Sequence, residues 1–220
     1  MSQNSTINTA DGLFWHIRQS GIPENQPLIL IPSEEGDSYV FTNLISHLSP
    51  HFHITSFDMP GFSRTTGSSA LTNLSLKKIA TQIVTLMNVL KIPAAAFWGS
   101  SSGGLSALAL LKYFPDRVRN VIVHEVPYSA PDSIYGLQQE EEETTVNNCK
   151  VMYRDMMNAD PGAWDALGQE YHQRLAKNYT TWIRHYVGVL ETADWEDVVK
   201  ENAKRVSWSV GGQMPMGFFF

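Results

Sequence analysis

The segment that most constrains the fold is a turn of glycine and serine, GSSSG, at residues 99–103. The apolar run AAAFW (94–98) precedes it and the apolar run LSALALLKYF (105–114) follows it, which predicts a strand, a sharp turn and a helix. A turn this sharp crowds the backbone, so only small residues fit beside its central residue, Ser101. It also exposes the Ser101 hydroxyl, which favours a nucleophile; a tight turn without chemical function is the alternative.

Two backbone N–H groups are expected to face the oxygen that reacts at Ser101. The N–H of Ser102 lies at the start of the predicted helix, where free N–H groups and the positive end of the helix dipole point at the turn. The second is expected from the loop after LILIP (28–32), near Ser33 or Glu34. The carboxylates of Glu34 and Glu35 fit there only if they turn to solvent, and a solvated loop pair is an equally good interpretation.

Short apolar runs alternate with helical patterns along much of the chain. Strands are predicted at six runs, namely LFWHIR (13–18), LILIP (28–32), HITSF (53–57), AAAFW (94–98), VIVHEV (121–126) and VSWSV (206–210). Three helices are predicted between these strands. The first runs to Leu48 from a cap at Asp37 or Ser38, and the second is capped at Asn73 or Ser75 and stopped by Pro93. The third runs from Ser102 to Tyr113. The alternation predicts a mainly parallel sheet with right-handed crossovers.

The stretch from 128 to 198 carries only helical patterns. It is predicted to form a helical cap over the strand ends, inserted into a core made of residues 1–127 and 199–220. A nucleophile turn at the end of a strand in such a sheet is typical of the α/β-hydrolase fold. The predicted fold class is therefore α/β, with a helical cap insertion.

The acid of a catalytic triad is predicted at Glu125, where VIVHEV ends. In this fold the acid commonly follows the strand VSWSV, but the residues there, GGQMPMG, contain no carboxylate. A carboxylate at the end of VIVHEV can instead orient a histidine and stabilise its charged form. The alternative is that Glu125 pairs with a residue of the cap.

The base is not assigned to any residue. None of the seven histidines follows VSWSV, where the fold places that base; they stand at 16, 47, 51, 53, 124, 172 and 185. His124 adjoins Glu125, but neighbouring side chains on a strand face opposite ways, so the two are not expected to share a site. His172 and His185 in the predicted cap are weak candidates.

The end of the chain leads to a related expectation. VSWSV is predicted to be an exposed apolar edge strand, and three phenylalanines at 218–220 would face water. A last strand, the loop that carries the histidine and a closing helix are therefore predicted to be missing from this sequence.

Composition limits the partners and the compartment. The net charge is −6 and no basic cluster occurs, which argues against nucleic acid. No apolar run approaches the roughly 18 residues of a membrane span, and the N-terminus lacks the order of a signal peptide. The single cysteine, Cys149, suits a reducing compartment, so a cytoplasmic protein is expected. His51 and His53 share a strand face without a third ligand, so no metal site is predicted, and an oligomer stays possible.

Four blocks of the chain resemble the fungal zearalenone lactonases, α/β-hydrolases that open the macrocyclic lactone of a resorcylic-acid mycotoxin. The blocks are TSFDMPGFSR (55–64), FWGSSSGG (97–104), PDRVRNVIVHEVP (115–127) and LAKNYTTW (175–182). The resemblance implies that Ser101 is the nucleophile and Glu125 the acid, with the backbone N–H groups of Glu34 and Ser102 as donors to the oxyanion. The family usually has glycine at the position of Glu34, and its histidine would follow Phe220.

The resemblance also implies substrate contacts at Trp182, Tyr186, Pro127 and Phe219. Tyr179, Trp182 and Tyr186 share one helix face by their spacing, which also fits ordinary packing. The predicted reaction is hydrolysis of an ester or lactone through an acyl-enzyme, with no metal or organic cofactor. The alternatives are a carboxylesterase for smaller esters and a hydrolase-like protein that binds a ligand without catalysis.

Overall fold

The computed structural model describes residues 3–67, 69–126, 132–156, 160–189 and 195–212. Its seven strands form one sheet in the order β1-β2-β4-β3-β5-β6-β7. In chain order they are β1 Gln3–Asn8, β2 Phe14–Ser20, β3 Gln26–Ile31, β4 Phe52–Phe57, β5 Ala95–Ser100, β6 Val118–His124 and β7 Val206–Ser209. β4, β3, β5, β6 and β7 run parallel, whereas β1 and β2 are antiparallel to their neighbours.

Helices connect the parallel strands, and every described element between β6 and β7 is helical. The α-helices are α1 Thr42–Leu48, α2 Leu76–Val89, α3 Ser101–Tyr113, α4 Asp132–Gly136, α5 Glu142–Met156, α6 Pro161–Ala166, α7 Gln169–Thr181 and α8 Trp195–Glu201. A π-helical turn, Trp182–Tyr186, continues α7. Short 3-10 turns lie at Ser38–Phe41, Pro115–Arg117, Leu137–Gln139 and Val187–Val189.

The predicted alternation of strands and helices is confirmed, with local corrections. Asp37 caps the turn before α1 by accepting from the Tyr39 N–H at 2.8 Å, and Ser75 caps α2 by accepting from the Lys78 N–H at 3.1 Å. The run LFWHIR, predicted to be the first strand, is the second. The strand before it, β1, has the polar sequence QNSTIN with largely exposed side chains, so it carries no apolar signal.

The core lies on both faces of the sheet, because helices cover a parallel sheet on both sides. On one face, strand residues such as Ile31 and Phe97 pack in the same buried cluster as Leu105 of α3 and Tyr179 and Ile183 of the helices between β6 and β7. A smaller cluster on the other face joins β3 and β4 to α1. The helices that follow β6 therefore belong to the same hydrophobic core as the sheet and α3.

The β7 side of the sheet is more open. β7 is the edge strand, and the Trp208 side chain is 44% exposed. Ile122 on the neighbouring β6 is 39% exposed. Within the described ranges, the chain contains no helix that is both long and apolar enough to cross a membrane.

Candidate active site

Ser101 lies where β5 ends and α3 begins. Its φ is 48°, in the left-handed region that residues other than glycine rarely adopt. Such strain persists only where the surrounding structure imposes it. A Cβ at Gly99 would lie 2.4 Å from the Gly103 carbonyl oxygen, so the two sides of the turn touch through their backbones. The turn therefore has the sharpness that the sequence predicts.

The first turn of α3 is also fixed from outside. A Cβ at Gly103 would lie 2.5 Å from the carbonyl oxygens of both Ile31 and Pro32, at the end of β3. A Cβ at Gly104 would lie 2.4 Å from the Val126 side chain, just after β6. The glycines thus let the helix start sit between the ends of two strands, which brings Ser101 close to the loop after β3.

The loop after β3 is buried rather than solvated. Glu34 and Glu35 are only 6% and 7% exposed, and the Ser33 hydroxyl donates to the Glu34 carboxylate. Burial, and then the charge of Glu34, raises the pKa of Glu35 to about 8. The interpretation of the two glutamates as a solvated pair is therefore wrong. The helices after β6 cover the loop, and the Asn178 side-chain amide donates to the Glu35 carbonyl oxygen at 2.7 Å.

A small cavity adjoins this loop and the nucleophile turn, with a volume of about 10 Å³ that admits about one water molecule. It brings together four of the predicted site residues, Glu34, Ser102, Trp182 and Tyr186. The rest of its lining is mainly apolar and includes Met59, Phe62, Leu76, Ile79 and Val189. Ser101 is the residue before Ser102 on the turn, whereas Glu125 is not among the lining residues. Pro127 and Phe219 lie outside the described residues.

Two of the three aromatic residues that line the cavity, Trp182 and Tyr186, come from the π-helical turn after α7. The Tyr186 hydroxyl donates to the Pro60 carbonyl oxygen at 2.8 Å, and its ring meets the Phe62 ring edge-on with 4.7 Å between centroids. Burial raises the pKa of the Tyr186 hydroxyl well above its usual value. The Trp182 indole N–H is buried and has no hydrogen-bond partner in the part of the chain described. Tyr179, by contrast, stacks on Tyr153 at 4.8 Å and does not line the cavity.

Glu125 follows β6 directly, and its φ of 50° turns the chain out of the strand. Its carboxylate accepts from the Gly211 N–H at 3.0 Å and lies 3.5 Å from His124 Nε2. The expectation that His124 and Glu125 cannot share a site is wrong, because side chains alternate only within an extended strand. His124 Nδ1 also lies 3.0 Å from the Ser209 hydroxyl, and β-sheet register pairs His124 with Ser100.

The two histidines considered in the predicted cap occupy other places. His172 Nε2 lies 2.9 Å from the Trp164 carbonyl oxygen, and the two rings meet at 4.5 Å between centroids. His185 is exposed. Among the hydrogen bonds of the described residues, none joins any histidine to Ser101. The described ranges also hold no group of three or more histidine, cysteine, aspartate or glutamate side chains that could bind a metal.

A buried charge cluster between α7 and two loops was missed in the sequence. Arg64 pairs with Asp58 at 2.7 Å and with Asp37 at 3.0 Å, and Arg174 pairs with Asp37 at 2.7 Å. Burial alone would raise the pKa of Asp37, but hydrogen bonds from Arg174 and Ser63 outweigh it and hold that pKa below its usual value. The only sequence signal was the four-residue spacing of Arg174 and Asn178 on one helix face.

Comparison with known proteins shows the family to which the chain belongs. The family model for the alpha/beta hydrolase fold matches residues 26–147. The zearalenone hydrolase of Cladophialophora bantiana is 36% identical over 98% of this chain and 82% of its own length. The zearalenone hydrolase of Bionectria ochroleuca is 33% identical over 100% of this chain and 84% of its own length.

Solved structures with lower identity share the fold. The N-acyl homoserine lactonase AidH aligns with a TM-score of 0.77 at 18% identity, over 99% of this chain and 82% of that one. The enol-lactonase of Burkholderia xenovorans aligns with a TM-score of 0.73 at 16% identity, over 94% of this chain and 91% of that one. By its fold, its matched residues and its curated relatives, the chain belongs to the α/β-hydrolase family, in the group of the zearalenone hydrolases.

Proposed function

We propose that the protein hydrolyses the ester bond of a bulky apolar lactone of the zearalenone type, through an acyl-enzyme on Ser101. The observation that carries the proposal is the left-handed Ser101 at the end of β5, next to an aromatic-walled cavity. Two relatives named zearalenone hydrolase, at 33% and 36% identity, support the substrate class. Apolar cavities gain affinity from the area they bury, which favours a large apolar substrate over a small polar one.

In the proposed mechanism the Ser101 hydroxyl oxygen attacks the carbonyl carbon of the lactone. The backbone N–H groups of Ser102 and Glu34 stabilise the negative charge that develops on the carbonyl oxygen. A histidine takes the Ser101 proton and returns it to the leaving alkoxide as the ester C–O bond breaks. Water then attacks the acyl-enzyme and releases the carboxylic acid. These steps need no metal or organic cofactor.

Glu125 is the proposed acid that orients the histidine and stabilises its charged form. Its position at a strand end, with the Gly211 N–H holding one carboxylate oxygen at 3.0 Å, gives it a fixed direction. None of the histidines is assigned as the base, because none hydrogen-bonds Ser101 in the described part of the chain.

The helical segment 128–198 is the proposed cap, with residues 1–127 and 199–220 as the core. In this division Trp182 and Tyr186 form the cap wall of the substrate cavity. Pro127 and Phe219 are proposed as further substrate contacts on the resemblance alone. A cytoplasmic location is proposed as well, because the one cysteine, Cys149, is free and buried.

The substrate class is tested by comparing kcat/KM for zearalenone with kcat/KM for p-nitrophenyl acetate and p-nitrophenyl butyrate. We expect the higher value for zearalenone, since a large apolar ring can bury more area against the aromatic lining than a short ester can. Turnover of the short esters with none of zearalenone would replace the lactonase proposal by a general carboxylesterase.

A second candidate is a ligand-binding protein without catalysis. The observation that favours it is that no histidine hydrogen-bonds Ser101 among the described residues, and a serine without a base is a weak nucleophile. Quenching of tryptophan fluorescence by zearalenone, without release of the ring-opened acid, would support this candidate.

A further inference from the structure

Two residues on one face of α7 hold the loop that follows β3. Arg174 and Asn178 are one helical turn apart, and together we call them the α7 clamp. Arg174 Nε donates to Asp37 Oδ2 at 2.7 Å. Asn178 Nδ2 donates to the Glu35 carbonyl oxygen at 2.7 Å. The clamp therefore contacts the Ser33–Asp37 loop at two points.

Asn178 is fully buried and uses every polar group of its side chain. Besides the bond to Glu35, Nδ2 donates to the Ser63 hydroxyl at 2.7 Å, and Oδ1 accepts from the Ser63 N–H at 2.8 Å. An asparagine side chain has two donor hydrogens, and both are used here; its oxygen accepts one of the two bonds that it can take. Ser63 itself has a φ of 46° and donates through its hydroxyl to Asp37 at 2.7 Å. Asn178 thus joins the Ser33–Asp37 loop to the loop after β4, which contains Ser63.

The Ser33–Asp37 loop has few internal bonds of its own. The Gly36 N–H donates to the Ser33 carbonyl oxygen at 3.1 Å, and the Gly36 carbonyl oxygen accepts from the Met59 N–H at 2.8 Å. The Asp37 carbonyl oxygen accepts from the Val40 N–H at 3.4 Å, and Asn178 holds the Glu35 carbonyl oxygen from outside the loop. Since a peptide unit moves as a plane, the Glu35 carbonyl is fixed together with the Gly36 N–H. The Gly36 N–H in turn holds the Ser33 carbonyl, which lies in the same peptide plane as the Glu34 N–H.

We propose that Asn178 is a positioning residue, whose amide holds the Glu35 carbonyl oxygen and thereby keeps the Glu34 N–H aimed at the reacting oxygen. The inference rests on the proposed function of Ser101 and Glu34. Asn178 does not line the cavity, so it acts through the loop and not through the substrate. A misplacement of about 1 Å in such a group is enough to slow a reaction by about 100-fold.

The most specific test is Asn178→Asp. Aspartate has the same shape and still accepts from the Ser63 N–H, but it places an oxygen against the Glu35 carbonyl oxygen instead of a donor. We expect kcat for p-nitrophenyl acetate to fall by about 10-fold to 100-fold, below the full cost of a lost oxyanion donor. KM should change less than about twofold, since the cavity wall is intact.

A matched control is Thr145→Val, which removes a buried hydrogen bond between helices without touching the loop. Thr145 is buried, and its hydroxyl donates to the Leu137 carbonyl oxygen at 3.2 Å. Its kcat should stay within about twofold of the native value, because the loop and cavity are unchanged. Both variants are compared at equal folded fraction, measured by circular dichroism and thermal unfolding. If Asn178→Asp does not fold, Asn178→Ser takes its place with the same expectation.

The outcomes separate this inference from the proposed function. Native kcat in Asn178→Asp, an effect on KM alone, or an equal loss of kcat in Thr145→Val would each overturn the positioning role. The proposed function fails by a different result, namely native turnover in Ser101→Ala. A dead Ser101→Ala enzyme together with a slow Asn178→Asp enzyme supports both.

Discussion

The two halves of the proposed site, the nucleophile side at Ser101 and the acid side at Glu125, are held by different means. On the nucleophile side, Ser101 and the Ser33–Asp37 loop lie between β3, α3 and α7, where backbones touch and the loop side chains are buried. On the acid side, Glu125 follows β6 beside the edge strand β7, whose Trp208 side chain is 44% exposed. Close packing fixes the conformation of the Ser101 turn and of the loop beside it. At the exposed edge, only a few hydrogen bonds fix the conformation of the Glu125 side chain.

This difference separates two kinds of effect. Changes on the nucleophile side should cost folding stability as well as rate, because the same contacts serve both. Changes on the acid side should cost rate with little loss of stability, because Glu125 and its neighbours are partly exposed.

The largest effect is expected on the acid side, for Glu125→Gln. The amide no longer stabilises a charged histidine, so kcat for p-nitrophenyl acetate should fall by about 1,000-fold while thermal stability stays native. His124→Gln is the control, since it removes the 3.5 Å contact but keeps the carboxylate. A loss of kcat in His124→Gln as large as the loss in Glu125→Gln would make His124 the base. It would contradict the proposal, in which none of the histidines is assigned as the base.

Next comes Gly103→Ala on the nucleophile side. Its Cβ would lie 2.5 Å from the carbonyl oxygens of Ile31 and Pro32, so β3 and α3 must separate. We expect a loss of about 3 kcal/mol in the free energy of unfolding, measured with urea, together with reduced activity. Gly136→Ala is the matched control, because nothing lies within 4 Å of its Cβ and stability should hold. Equal stability of the two variants would refute close packing at the turn.

The buried Glu35 predicts a pH dependence of stability. Burial raises the pKa of Glu35 to about 8 in the folded chain, from 4.5 as the ordinary value. The stability that the protonated side chain gives to the fold is therefore fully present below about pH 4.5, and it is lost as the pH rises through 8. Glu35→Gln keeps the neutral form. Its free energy of unfolding should exceed the native value by up to about 5 kcal/mol at pH 9 and by less than about 1 kcal/mol near pH 5. A constant difference between pH 5 and pH 9 would show that Glu35 does not titrate in this range.

The smallest effect is expected for Trp182→Ala at the cavity wall. Loss of the indole should raise KM for zearalenone by about 10-fold and leave KM for p-nitrophenyl acetate within about twofold. Trp195→Ala is the control, because Trp195 is buried in α8 and does not line the cavity. Equal changes in KM for both substrates would place Trp182 outside the binding surface.

The sequence predicted the features that depend on local patterns. The apolar runs located the five parallel strands, because a buried strand is a short apolar run. The small residues around Ser101 located the turn, because a sharp turn crowds the backbone. Features that depend on distant parts of the chain were not predicted. Glu34 and Glu35 look solvated until α7 covers them, and β1 has no apolar pattern because Ile7 is its one apolar residue.

The sequence predicted that the His124 and Glu125 side chains face opposite ways, and one backbone angle makes this prediction wrong. A rule for extended strands was applied to a residue whose φ is 50°. The pairing of Arg174 and Asn178 with the loop after β3 spans more than 130 residues of sequence, which no local pattern reveals.

We propose that the turn after β5 exposes Ser101, and not Ser100 or Ser102, as the nucleophile. A fluorophosphonate probe followed by peptide mass spectrometry tests this directly. We expect one adduct per folded chain, on Ser101, which Ser101→Ala abolishes and Ser102→Ala retains. An adduct on Ser100 or Ser102, or no adduct on a chain with native circular dichroism, would contradict it.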